Sequence, residues 1–354
     1  MSFFTAGMVC AHHHLYSSLA RGMPAPPKTP TSFISVLENV WWRLDAALDL
    51  DTLYWSAALG AAEALMSGTT AIVDHHESPY AIDGSLDVIA SACAMVGVRS
   101  NLSYGVTDRW RDGKISSAAD AQGSMSPEAQ RGLRENERFL KAGGRGMVGV
   151  HAAFTCTDET LEAAANLAAS LDVGVHIHVA EGPDDKDAGA RLESLATDKW
   201  LLVHSVLLDR KLQGTIVHNP RSNMNNSVGY GNPVKWANTT LLGTDGIGAD
   251  MLEEARLAYV KLRESDITQT PDTVWNWLHN GYNIFPEASR DEVRWNYDNV
   301  DSAWHVAFTP GIRCTDVFIE GEHVVKDGTP TQFDMSEVRA KASESAARLH
   351  KKLS

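Results

Sequence analysis

Cysteine is scarce in this sequence. Cys10, Cys93, Cys156 and Cys314 are scattered, without the close spacings of a disulfide scaffold or a cysteine-rich zinc site, and they point to a reducing compartment. No apolar run approaches the roughly 20 residues of a membrane span. The start, Met1-Ser2-Phe3-Phe4, has no basic segment followed by an apolar stretch of signal length, so a soluble cytoplasmic protein is expected. Positive charge is also short: 31 basic against 45 acidic residues give a formal charge of -14, which argues against nucleic acid or an anionic membrane as partner. A homo-oligomer stays open. With no internal repeat and no low-complexity linker, the 354 residues read as one large domain that can hold a barrel of roughly 250 residues and a small appendage.

What is present is a succession of short apolar runs, each ending in polar residues. Met8 to Ala11 runs into three histidines, Thr69 to Val73 into Asp74-His75-His76, Met147 to Val150 into His151, and Val173 to Val179 into Glu181. Further runs lie near 97–102, at Trp200 to Val203 before His204, at Thr215 to Val217 before His218, and at Thr239 to Leu242 before Asp245. Helical spacing separates them near 51–66, 85–96, 127–140, 159–171 and 186–196. Eight such strands predict an α/β fold, a (β/α)8 barrel over residues 7–285, with the polar tips at the end where such barrels keep their active sites. The count has one irregularity. About ten residues separate His204 from Thr215, fewer than a parallel crossover needs, and 220–237 reads as loop; crossovers there are degenerate or residues are lacking, and the second is expected. Behind the barrel, helical patterns at 251–264 and 272–281 precede a hairpin in 312–333 with its turn at Glu320 to Glu322, the remnant of a small β-rich accessory domain, and a terminal helix over 335–354.

His12 and His14 are two apart, so on an extended strand they share a face and can grip one ion. His176 and His178 also share a face; His178, nearer the strand end, is the better ligand, and His176 packs below it or hydrogen-bonds a ligand. Glu181 is then free to shuttle a proton. Asp245 lies between Thr244 and Gly246, a small-residue setting that lets a carboxylate approach a metal. Three imidazoles and one carboxylate leave a positive field that can acidify water toward a pKa of about 7. Asp245 can accept the water's proton as attack occurs, and His204 can hydrogen-bond either the nucleophile or the developing oxyanion. His218 and Asn219, at the polar end of their strand, are candidate substrate contacts. Gly143-Gly144-Arg145-Gly146 has only the composition of a phosphate loop and reads as a turn.

Several stretches together resemble the amidohydrolase superfamily, in its aminohydrolase branch of guanine, cytosine, S-adenosylhomocysteine and triazine-type enzymes. They are 11–22 around the histidine triplet, Asn39-Val40-Trp41-Trp42-Arg43-Leu44-Asp45, His178-Val179-Ala180-Glu181, the run from His218 to Asn226, and Leu242 to Gly246. Within that branch the string is most similar to SsnA-like aminohydrolases. The resemblance implies that His12, His14, His178 and Asp245 hold one divalent ion, zinc before iron, with Glu181 and His204 as the catalytic pair and His151 near the substrate. Gly149-Val150-His151 stands where binuclear relatives carry a carboxylated lysine, which favours a single ion. The expected reaction is hydrolytic deamination of an amino-substituted N-heterocycle such as a purine, pterin, pyrimidine or triazine. The alternatives are hydrolysis of a cyclic amide or urea-type C–N bond, and a scaffold that binds metal without turnover. The β-rich segment that precedes the first strand in such proteins is not evident here.

Overall fold

The computed structural model describes residues 2–111, 114–115 and 123–354. Eight parallel strands follow in chain order: Met8–His14, Thr69–His76, Arg99–Tyr104, Val148–Ala152, Val175–Val179, Leu201–His204, Thr215–His218 and Thr240–Leu242. The first three pair in sequence, as do the last five. Parallel bridges Leu102 to Gly146 and Val106 to Val150 join the third to the fourth. Past the eighth strand, Thr244 N–H donates to the His12 carbonyl at 3.1 Å and Asp245 pairs with His13, which closes the ring. The (β/α)8 barrel expected from the sequence is the architecture observed.

Alternation along each strand decides what faces inward. Val9, Ala11, Ala71, Val73, Leu201, Val203, Val217 and Leu241 form one buried cluster inside the ring, while Cys10, Ile72 and Leu242 pack outward against the helices. A register shift between Cys10 and His13 changes the phase of the first strand, so that Ala11 and His12 both serve the interior. On the fifth strand Val175, Ile177 and Val179 pack outward against helix Asp158–Ser170, which turns His176 and His178 inward. His204 and Asp245 take positive φ, 68° and 58°, and leave the strand direction at the polar end of the barrel.

Most helices lie where expected, including Leu50–Met66, Ser85–Val96, Pro127–Lys141 and Met251–Ser265. Three differences have physical causes. The connection 205–214 contains no helix; Leu208 and Leu212 cover the outer face of the sixth strand instead, so the short spacing is a compact loop. Helix Pro220–Asn225 fills part of a stretch read as loop, started by a proline that needs no intrahelical donor. The accessory sheet is larger than a hairpin: Cys314–Ile319 and Glu322–Lys326 are flanked by Glu292–Trp295 with Phe4–Thr5 on one side and Thr329–Pro330 on the other. Residues ahead of the first strand therefore do contribute a β segment.

The final helix, Met335–Leu353, lies against Leu50–Met66 and reaches the segment ahead of that helix. Lys352 Nζ donates to the Ala47 carbonyl at 3.0 Å, Arg43 donates to the Leu353 carbonyl at 2.5 Å, and His350 Nε2 bonds the Leu19 carbonyl at 2.8 Å. No helix among the described residues is long and apolar enough to cross a membrane.

Candidate metal centre

Hydrogen bonds at the outer ring nitrogens settle how the inner ones are presented. His14 Nδ1 donates to the His75 carbonyl at 2.5 Å and His178 Nδ1 to the His151 carbonyl at 2.6 Å. Ser103 Oγ donates to the Asp74 carbonyl and so accepts from His176 Nδ1 at 3.2 Å; His176 Nε2 then accepts from His12 Nδ1 at 2.9 Å. His176 thus hydrogen-bonds the candidate ligand His12, one of the two roles its strand position left open. In this pattern His12, His14 and His178 all present bare Nε2 lone pairs to one point. His14 Nε2 and His178 Nε2 are only 3.2 Å apart, and Asp245 Oδ1 lies 3.1 Å from His12 Nε2 and 3.0 Å from His14 Nε2. Acceptors crowded in this way repel one another unless a cation or proton lies among them, and the donor set of imidazole nitrogen and carboxylate oxygen suits a divalent transition metal.

The ligand atoms of His12, His178, His204 and Asp245 fall within 4.8 Å of one another, as do those of His14, His75 and His178. His75 was not singled out in the sequence, although it follows an apolar run just as His14 does. Its Nε2 bonds the Val150 carbonyl at 3.0 Å. Gly243 permits the tight closure beside these groups: a Cβ there would sit 2.5 Å from Asn219 Oδ1 and 2.8 Å from His12 Cβ.

Glu181 Oε2 lies 3.4 Å from His204 Nε2, which is 3.9 Å from Asp245 Oδ2. Burial pushes the Glu181 carboxyl up, opposed by His204 and reinforced by the charge of Asp245. Burial raises Asp245 too, but with protons in place of a cation on the facing nitrogens, hydrogen bonds from His12 and His14 outweigh it and hold its carboxyl well below the usual range. The partner effect appears at His14, where burial is overcome by the bond and charge of Asp245 and the imidazole is raised to about 9. Glu181, inclined to hold a proton, thus stands beside an imidazole that in turn faces a second carboxylate, the setting that proton transfer needs.

These groups open into a cavity of about 220 Å³ whose walls include Phe33, Trp41, Trp42, Phe154 and Ile247. Asp45, Glu77 and His151 line it as well. Behind them Arg109, fully buried, bonds Asp45 Oδ2 at 3.0 Å and also Glu77, and stacks 4.4 Å from the Trp42 ring. Arg109 donates to His151 Nε2 at 3.2 Å while His151 Nδ1 bonds Thr155 Oγ1 at 2.8 Å, so both ring nitrogens of His151 are engaged by the protein. The sequence singles out Trp42, Asp45 and His151 but not Glu77 or Arg109, and the members of this network come from four separate segments. His218 is buried outside the ring against Tyr230 and Trp277 and does not line the cavity. Asn219 lies beneath His204, its Nδ2 3.5 Å from His204 Nδ1.

Comparison with known proteins fits this geometry. The chain is 28% identical over 398 residues to a 5'-deoxyadenosine deaminase of Methanopyrus kandleri, covering 97% of this chain and 86% of that protein. It is 26% identical over 399 residues to a 5-methylthioadenosine/S-adenosylhomocysteine deaminase of Syntrophomonas wolfei, with the same coverage, 97% and 86%. In fold it is similar to an adenosine deaminase of Xanthomonas campestris with bound zinc, with a TM-score of 0.79 at 21% identity over 98% of this chain and 86% of that one. It is also similar to an atrazine chlorohydrolase of Arthrobacter aurescens complexed with zinc, with a TM-score of 0.78 at 19% identity over 97% and 88% of the two chains. The Amidohydrolase family model matches residues 3–273, from ahead of the first strand to beyond the eighth. The chain belongs to the amidohydrolase family.

Proposed function

We propose that this protein is a mononuclear metal-dependent aminohydrolase that removes ammonia from an amino-substituted N-heterocycle, with His12, His14, His178 and Asp245 holding the ion. The observation that carries the proposal is the convergence of three bare Nε2 atoms on one carboxylate beside the Glu181 and His204 pair. A bound divalent ion supplies Lewis acidity that makes water a competent nucleophile near neutral pH. The protein's part is to place and move protons. Asp245 Oδ2 lies near His204, placed to take a proton from the attacking water and return it to the departing amino group, while Glu181, inclined to protonation, delivers one to a ring nitrogen and takes back the hydroxyl proton, so that ammonia leaves the tetrahedral carbon. The aromatic walls suit a flat ring.

Zinc is the favoured metal and iron the second, since the ligand set accepts both. The curated relatives named as deaminases of 5'-deoxyadenosine and of 5-methylthioadenosine and S-adenosylhomocysteine support putting purines first among the candidate heterocycles. The test is a panel of purines, pterins, pyrimidines and triazines, scored for ammonia, run beside hydantoins and lactams, scored for ring opening. Ammonia from a panel member at one ion per chain supports the proposal. Ring-opened product alone moves the assignment to cyclic amide hydrolysis, and no turnover by metal-loaded protein moves it to a binding scaffold.

A further inference from the structure

The stretch from His218 to Asn226 is not accounted for by the ligands or the catalytic pair. In the structure it places helix Pro220–Asn225 just after the seventh strand, and three side chains of the helix and its C-cap reach three different proton-handling groups. Ser222 Oγ donates to Asp245 Oδ2 at 2.5 Å, Asn223 Oδ1 is 2.7 Å from His204 Nδ1, and Asn226 Nδ2 donates to Glu181 Oε1 at 3.3 Å. At His204 and Glu181 the bond is made to the atom turned away from the other member of the pair, Nδ1 and Oε1, while at Asp245 it is made to the Oδ2 that faces His204. Asp245 keeps Oδ1 for His12 and His14, and Glu181 keeps Oε2 for His204.

We propose that Asn223 is a positioning residue that fixes His204 as the Nδ1-protonated tautomer, so that its bare Nε2 accepts a hydrogen bond from the attacking water and does not donate one to the developing oxyanion. This rests on the deaminase reading for its catalytic meaning but not for its structural content. An amide oxygen at 2.7 Å takes a proton from Nδ1, whereas the competing donor, Asn219 Nδ2, is at 3.5 Å, the edge of hydrogen-bond range. Asn223 is buried, and its backbone N–H is tied to the Asn219 carbonyl at 3.0 Å, which fixes its place in the first turn of the helix. His204 Nε2 is buried without a hydrogen-bond partner among the described residues and faces two carboxylates, which is where a water would stand. Asn223 Nδ2 also has no partner, so an aspartate at this position keeps the acceptor and gives up no bond.

The test compares zinc-loaded wild type, Asn223→Asp and Asn223→Leu by zinc content, by kcat and KM on the best panel substrate, and by ring ¹⁵N spectra of histidine-labelled protein, with His204 assigned from its loss in His204→Gln. The expected wild-type spectrum has the proton on Nδ1 of His204, retained in Asn223→Asp and lost as a single form in Asn223→Leu. All three hold equal zinc. The leucine variant loses about 10²-fold in kcat at a nearly unchanged KM, the scale of a lost acid–base contribution, and the aspartate variant recovers most of it. A wild-type His204 protonated on Nε2 overturns the proposal, as does an inactive aspartate variant with the wild-type fold, or a leucine variant with full kcat. Should the leucine variant fail to fold, the wild-type and aspartate spectra still decide. If no panel member releases ammonia, the deaminase reading fails by itself and the nitrogen spectra judge the tautomer.

Discussion

Glu181 and His178 lie within three residues of each other and should answer substitution in opposite ways. Glu181→Gln keeps size and removes the proton carrier, so metal should stay while kcat falls by at least about 10²-fold. His178→Ala removes a nitrogen from the converging set, so metal and rate should go together. Paired metal analysis and kinetics check both, and a Glu181→Gln variant that lost its metal would reverse the two roles. Arg109 gives a stability counterpart. Arg109→Leu leaves Asp45 and Glu77 buried side by side without their cation, and the loss should reach about 3–5 kcal/mol in denaturant unfolding, far above a surface substitution. The residues proposed as ligands were legible because each follows an apolar run and faces inward. The pairing of Arg109 with Asp45 and Glu77 was not, although Asp45 had been named, since Asp45 and Arg109 are 64 positions apart and only the closed barrel brings them together.

Helix Leu50–Met66 begins at Asp49, whose carboxylate accepts the Thr52 N–H at 2.8 Å and pairs with Lys352 of the last helix at 2.7 Å. Partial burial opposes its ionisation, but the bonds from Lys352 and Thr52 prevail and hold its pKa at about 2. Asp49→Ala should cost about 1 kcal/mol at neutral pH, the usual worth of such a cap. Because the folded value lies below the unfolded one, the contribution is complete above the unfolded pKa and fades as pH falls through the folded pKa. The Tm gap between wild type and variant should accordingly narrow between about pH 5 and about pH 3; a gap that widened there would contradict the pairing. Strands of the barrel could be read from buried β-branched runs such as Thr69–His76, where every residue is buried. Glu292–Trp295 escaped because it is four residues with alternate positions exposed, and Pro220–Asn225 because its six residues carry no apolar period.

A single ion held by the first, fifth and eighth strand ends would tie together segments more than 200 positions apart. Chelation should therefore lower the midpoint of thermal unfolding, by on the order of 5 °C if the ion stands near a thousandfold above its Kd, and stoichiometric zinc should restore it. A scan indifferent to chelator would detach the ion from the fold.

The last turn of the chain has a reach of the same kind. Lys352 occupies the Ala47 carbonyl at the end of helix Trp42–Ala47, and this helix presents Trp42 and Asp45 to the cavity. Helix ends left without partners fray. Deleting residues 350–354 should leave metal content untouched while KM rises several-fold, because the segment lost acts as a tether on one wall of the substrate chamber; an unchanged KM would show that the wall stands alone. Affinity is then set partly at a point that no ligand touches, and an alteration at the tail would register in kinetics as a looser grip on substrate.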